Sequence, residues 1–79
     1  MDRDQISNKL QDIMRDVFDE DDLVISDETA AEDVADWDSG NHIRLIVAVE
    51  EAFGIMFEAK EINAPQSVGE LIDLIASKL

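Results

Sequence analysis

The sequence has no cysteine, one histidine and only six basic residues, and these scarcities exclude several classes of protein. Without cysteine there is no disulfide and no thiolate zinc site, and one histidine cannot supply a histidine-rich metal site. Six Lys and Arg against twenty Asp and Glu give a formal net charge of −14. This charge argues against binding to nucleic-acid phosphates or to an anionic membrane surface, and it favours partners with basic patches.

Long apolar runs are also absent. No segment approaches the ~20 apolar residues of a membrane span, and the acidic N-terminus has no apolar signal region. We therefore expect a cytoplasmic protein without membrane insertion. The hydrophobic fraction of 46% is ordinary for a folded chain, so the acidity does not indicate disorder. The length suits one domain, residues 1–79, with a radius of gyration of about 12 Å.

Three segments have apolar residues at helical spacing, and they predict an all-α fold. The first spans Asp4–Phe18, the second Ser39–Phe53, and the third begins after Ser67. A short helix is expected at Glu58–Ile62, whereas residues 55–57 suit either an extended stretch or a brief strand. The sequence therefore predicts a small four-helix bundle, with three main helices, one short helix and a long ordered first loop.

The first loop, residues 19–38, has no period of its own, and scattered apolar residues are expected to pin it to the helices. These anchors are Leu23, Ile25, Val34 and Trp37. Capping-box spacing predicts a short helical turn at Thr29 and Glu32 and a second capping box at Ser67 and Glu70. The helical faces predict a core made of Leu10, Ile13, Met14, Val17, Leu45, Ile46, Val49, Phe53, Val68, Leu71, Ile72 and Ile75.

Asp38 and Ser39 stand at the predicted start of the second helix, with Asp38 as its N-cap. The free N–H groups and the positive dipole end of a helix favour an anion there, so a phosphate esterified to Ser39 would be well placed. Isolated Asp-Ser pairs are common helix caps, and the pair alone therefore does not identify a site.

The longer context is more informative. Residues 37–55, WDSGNHIRLIVAVEEAFGI, resemble the phosphopantetheine attachment region of acyl carrier proteins, and residues 67–75, SVGELIDLI, resemble that family's last helix. The resemblance implies a free-standing acyl carrier protein that is not an enzyme. Ser39 would accept 4′-phosphopantetheine from coenzyme A through a separate transferase, and the arm's thiol would carry acyl groups as thioesters. Asp38 would help a magnesium-dependent transferase to position the serine.

The resemblance also implies partners for a monomeric carrier. They are a phosphopantetheinyl transferase and the enzymes of lipid or polyketide biosynthesis that load and transfer acyl groups through basic patches. Candidate docking residues lie on the outer face of the second helix: Gly40, Ile43, Arg44, Val47, Glu50 and Glu51. Gly40 replaces the large apolar residue that usually follows the serine, and Arg44 lies on a face that is usually acidic. Both departures favour a specialised carrier.

Parts of the sequence could also belong to three other kinds of protein. An acidic helical adaptor without a prosthetic group would keep the fold and charge but leave Ser39 unmodified. A hydrolase built on Ser39 and His42 lacks a nucleophile elbow and a deep pocket, so we expect His42 at the edge of the core. A calcium loop starting at Asp19 fails at its sixth and twelfth positions, and no metal site is therefore expected.

Overall fold

The computed structural model describes residues 1–79 and contains four α-helices. α1 spans Arg3–Val17, α2 Ser39–Phe53, α3 Ala59–Ile62 and α4 Val68–Lys78, with a short 3₁₀ turn at Ala31–Asp33 in the first loop. α1 packs against both α2 and α4, and the Cα radius of gyration is 11.3 Å. None of the helices has the length and apolar character that crossing a membrane requires. The predicted all-α four-helix bundle is confirmed, and residues 55–57 form no strand.

Local hydrogen bonds and one glycine define the helix ends. At α1, the Asp2 carboxylate accepts the Gln5 N–H while the Gln5 side chain accepts the Asp2 N–H, a capping box that the sequence prediction missed. α2 begins where predicted, because Asp38 Oδ1 accepts the Asn41 N–H at 2.8 Å. α2 ends at Phe53 and is capped by Gly54, whose φ of 66° lies in the left-handed region that favours glycine.

The turn predicted at Thr29 and Glu32 has a different cap. Thr29 Oγ1 accepts the N–H of Ser26 at 2.9 Å and closes an earlier turn. The 3₁₀ turn is held instead by Asp33, whose carboxylate accepts the N–H of Ala30 at 2.9 Å. The prediction of a Thr29–Glu32 capping box is therefore wrong. The Thr29 hydroxyl instead accepts the N–H of Ser26, three residues earlier in the chain.

One hydrophobic core joins the helices and the first loop. Ile13, Val17 and Phe53, predicted as core residues, are only partly buried at its edge. The loop anchors are confirmed, with Ile25 and Val34 buried and Leu23 and Trp37 packed against the core. The other predicted core residues are buried, and the core also includes residues outside that set: Ile6, Phe18, Ile25, Val34, Ile55 and Phe57.

Backbone contacts fix the first loop to the start of α4. The Val68 N–H donates to the Thr29 carbonyl at 2.8 Å, and the Gly69 N–H donates to the Asp27 carbonyl at 3.0 Å. A Cβ at Gly69 would lie 2.9 Å from that Asp27 oxygen, so this approach requires glycine. Arg3 joins the same junction, since its guanidinium lies 3.1 Å from the Asp27 carboxylate and 3.3 Å from the Gly69 carbonyl.

Three other basic residues also bind within the chain. Lys9 and Arg15 on α1 each donate to a backbone carbonyl at 2.7 Å, one at the end of α2 and the other in the first loop. Lys78 Nζ lies 2.8 Å from the Glu61 carboxylate and connects α4 to α3. The remaining two, Arg44 and Lys60, have exposed partners: the Asn41 side-chain oxygen at 3.3 Å and the Glu58 carboxylate at 3.5 Å. All six basic residues therefore have a partner within the chain, and carboxylates dominate the outward-facing charge.

Candidate functional site

Ser39 is the first residue of α2, and its exposed hydroxyl makes no hydrogen bond within the chain. The backbone N–H groups of Ser39 and Gly40 also have no acceptor, because they precede the first intrahelical bonds. These N–H groups lie at the positive end of the helix dipole. A phosphate ester on the Ser39 oxygen therefore fits the residues present, with donors and a favourable field beside it.

Asp38 fixes the first turn of α2 and leaves one carboxylate oxygen free. Its Oδ1 accepts the Asn41 N–H at 2.8 Å, and its backbone carbonyl accepts the His42 N–H at 2.8 Å. The Asn41 amide also donates to the Asp36 carbonyl at 2.8 Å, which ties the helix start to the end of the first loop. Asp38 Oδ2 makes no hydrogen bond and is open to a partner. No group of three or more acidic or histidine side chains is arranged to hold a metal ion.

His42 connects three parts of the fold. The Trp37 Nε1–H donates to His42 Nδ1 at 3.0 Å, and His42 Nε2 lies 2.7 Å from the Ile62 carbonyl oxygen. The tautomer with its proton on Nε2 satisfies both bonds. We call this chain of contacts the Trp37–His42–Ile62 bridge; it joins the first loop, α2 and α3. His42 is half-buried, as expected, and both ring nitrogens are occupied, so it is not a free base for Ser39.

A groove of about 560 Å³ opens beside Ser39. Trp37 and His42 line it from the first loop and α2, and the almost completely buried Leu71 lies at its base. The connection between α3 and α4 contributes polar residues, which are Asn63, Gln66 and Ser67. The sequence analysis identified this connection only as a helix-breaking segment followed by a helix cap. Its contribution to the site was therefore missed.

Ser67 lines the groove and is also the N-cap of α4. Its Oγ accepts the Glu70 N–H at 3.3 Å, as the capping box predicts. The Glu70 side chain does not return a bond to the Ser67 N–H, so only half of that box forms. The hydroxyl proton of Ser67 is therefore not required by the cap and is available to a ligand in the groove.

The outward side of α2 carries an apolar pair. Ile43 is 50% exposed and Val47 47% exposed, and they lie one helical turn apart. Exposed residues surround the pair, and they include three others predicted for docking: Gly40, Arg44 and Glu51. An exposed apolar pair surrounded by polar residues is a surface that another protein can contact.

Glu50 differs from the other predicted docking residues. It is half-buried, and its Oε2 accepts the Phe57 N–H at 2.8 Å. This bond holds the segment after α2 against the core, because Phe57 is itself buried. Glu50 therefore has a structural partner, and its part in docking stays a prediction.

Comparison with known proteins identifies the family. No protein-family model matches the sequence, and no curated protein matches it. Among solved structures, the chain is similar to the solution NMR structure of holo acyl carrier protein from Geobacter metallireducens, with 40% sequence identity and a TM-score of 0.86. The match covers 92% of this chain and 84% of that chain. The chain belongs to the acyl carrier protein family.

Proposed function

We propose that the protein is an acyl carrier whose Ser39 bears 4′-phosphopantetheine. On attachment, the Ser39 oxygen bonds to the phosphorus of coenzyme A that carries pantetheine, and adenosine 3′,5′-bisphosphate leaves. A separate transferase binds coenzyme A and accepts the serine proton. The observation that carries the proposal is the unpaired Ser39 hydroxyl beside two free N–H groups, in a chain 40% identical to a holo acyl carrier protein.

The carrier acts by tethering its cargo. A thiol at the end of the arm holds acyl groups as thioesters, and the tether raises their effective concentration at each partner's active site. The bond-making steps belong to the partner enzymes, so we assign no catalytic residue to this chain. Residues 1–79 are proposed to form a single domain that acts as a monomer in the cytoplasm, in lipid or polyketide biosynthesis.

Asp38 is proposed to position Ser39 for the transferase. Its Oδ1 holds the first turn of α2, and that bond supports a fixed orientation of the serine. Its Oδ2 makes no bond in the chain, so a cation held by the transferase can approach it. Asp38 therefore acts on attachment through both the helix cap and the free oxygen.

Docking is proposed to use the outer face of α2. Ile43 and Val47 would enter an apolar depression on the partner, and basic patches on the partner would face the surrounding carboxylates. Arg44 reduces the acidity of this face beside Ser39, which supports partners adapted to this particular carrier. The phosphopantetheinyl transferase and the enzymes that load and transfer acyl groups are the expected partners.

Gly40 offers a direct test of specialised docking. A Cβ at this position would meet only Asp38 Oδ1, at an ordinary 3.6 Å, so the fold does not require glycine here. We expect Gly40→Leu to accelerate modification by a general transferase, because it extends the Ile43–Val47 pair toward Ser39. The initial rate is compared with that of Gly40→Ala, which adds helix propensity but little apolar surface. Equal rates for the two variants would remove the support for specialised docking.

Intact mass separates a carrier from the alternative acidic adaptor. The protein is incubated with coenzyme A and a promiscuous phosphopantetheinyl transferase, and its mass is measured before and after. A carrier gains the mass of one phosphopantetheine, whereas an adaptor gains none. An unchanged mass in a folded protein, with a known carrier modified in a parallel reaction, would contradict the proposed function.

A further inference from the structure

We propose, on the basis that Ser39 bears an acylated arm, that the cargo lies in the groove beside Ser39 and not in the helical interior. The Trp37–His42–Ile62 bridge is the element that enforces this choice. The cargo class that fits is a short acyl group with a polar substituent, such as a hydroxyl. The burial of the interior residues, the position of the bridge and the chemistry of the groove all favour this placement.

The side chains between the helices have almost no contact with solvent. Leu45 and Ile75 are completely buried, and Leu71, at the base of the groove, is 1% exposed. Protein cores are packed about as densely as organic crystals, so a long alkyl chain can enter only by displacing such residues. The open groove needs no displacement, and its volume of about 560 Å³ suits a small ligand.

The bridge closes the route from Ser39 to the interior between α2 and α3. A chain that passed this way would separate His42 Nε2 from the Ile62 carbonyl, which are now 2.7 Å apart. It would also disturb the Trp37 indole bond to Nδ1, and all three residues are partly buried. An alkyl chain offers no hydrogen bond in exchange, so these polar groups would be left unpaired.

The groove, in contrast, offers unpaired polar groups beside an apolar base. The side-chain amides of Asn63 and Gln66 make no hydrogen bond within the chain, and the Ser67 hydroxyl proton is free. Each amide can donate and accept, so a hydroxyl or carbonyl on a short acyl group can be bound there. The free arm also contains amides, and the experiment therefore includes the arm without cargo.

The test loads the wild-type protein with four groups in separate reactions: the free-thiol arm, butyryl, 3-hydroxybutyryl and decanoyl. Intact mass confirms each loading, and NMR then monitors the Trp37 indole N–H, the Gln66 side-chain amide and the methyl groups of Leu45 and Ile75. We expect 3-hydroxybutyryl to shift the two groove signals relative to the free-thiol arm, and more than butyryl does. Decanoyl should leave the interior methyl groups unshifted, and hydroxylamine should cleave its thioester as fast as that of butyryl.

Two variants test the bridge itself. His42→Ala removes both bonds. Trp37→Phe removes the indole N–H donor but keeps a smaller aromatic ring for packing, which guards against loss of folding. With decanoyl loaded, we expect each folded variant to show shifted Leu45 and Ile75 methyl groups and several-fold slower thioester cleavage than wild type. Lys60→Ala, an exposed change on α3 outside the bridge, should behave as wild type.

Three outcomes would overturn the inference. In the first, decanoyl shifts the Leu45 and Ile75 methyl groups of the wild-type protein. In the second, both bridge variants loaded with decanoyl show the same methyl shifts and cleavage rate as wild type. In the third, the free-thiol arm alone already produces the full shift of the groove signals. Any of these, in protein whose mass shows loading, leaves the carrier function intact. A protein that never gains the arm would instead refute the proposed function and this inference together.

Discussion

Gly69→Ala tests whether the close contact between the first loop and α4 holds the fold together. The added Cβ would lie 2.9 Å from the Asp27 carbonyl oxygen and 3.0 Å from the Asp27 Cβ, so backbone must move. Overpacking of this kind costs about 1–3 kcal/mol. The same movement strains the Gly69 and Val68 hydrogen bonds to the loop, and a lost bond costs about 0.5–1.5 kcal/mol. The higher helix propensity of alanine offsets up to about 1 kcal/mol of this loss of stability.

We therefore expect Gly69→Ala to destabilise the protein by about 1–3 kcal/mol, and each 1 kcal/mol lowers the melting temperature by about 4–8 °C in a domain of this size. Gly40 is the matched control, because it occupies the same second position of its helix with an ordinary 3.6 Å contact. Gly40→Ala should stabilise the protein by about 0.4–1 kcal/mol. Thermal unfolding of both variants by circular dichroism measures the difference. A Gly69→Ala melting temperature at or above wild type would refute the reasoning.

Two further predictions concern acidic side chains. The hydrogen bond from Lys78, and then the backbone hydrogen bond at Glu58, lower the pKa of Glu61 below its ordinary 4.5. A lowered folded-state pKa stabilises the fold above the ordinary value and loses that contribution as the pH falls through the folded pKa. The melting-temperature deficit of Lys78→Met should therefore shrink below pH 4.5, and a deficit independent of pH would contradict this. In urea unfolding, Glu50→Ala should cost about 0.5–1.5 kcal/mol because the partly buried Phe57 N–H loses its acceptor. Glu51→Ala changes an exposed residue and should have little effect. Equal effects of the two changes would count against the Glu50 contact.

Helix positions could be predicted from the sequence because each helix carries its own signals. α2 has one apolar face, Asp38 as an N-cap and Gly54 where a left-handed residue is needed, and all three are local. The first turn of α1 was missed by one residue, since the Asp2–Gln5 capping box precedes the first apolar residue of the pattern. Local chemistry therefore fixes where the helices lie, and errors are confined to their ends.

Part of the core could not be predicted because burial there depends on distant contacts. Ile55 and Phe57 follow no helical period, and they face inward because the chain turns at Gly54 and Glu50 holds the Phe57 N–H. Ile13, predicted as a core residue, lies on an apolar face of α1 that its neighbours only partly cover. Periodicity identifies an apolar face but not how far another element extends over it.

The candidate site was found only in part for the same reason. Ser39 and Asp38 could be identified because the resemblance lies in one continuous segment. The groove could not, because Gln66 and Ser67 join Ser39 only in three dimensions. The contact between Trp37 and His42 did have a signal in the sequence: Trp37, an indole donor, lies two residues before the start of a helix, and the only histidine of the chain lies on the core side of that helix.

The most direct test of the central claim is the intact mass of two serine variants after incubation with coenzyme A and a promiscuous transferase. Ser39→Ala should gain no mass, because the proposed attachment oxygen is gone. Ser67→Ala, which changes the other serine of the same groove, should gain one phosphopantetheine as wild type does. Modification of Ser39→Ala, or failure of the folded wild-type protein to be modified, would contradict the account.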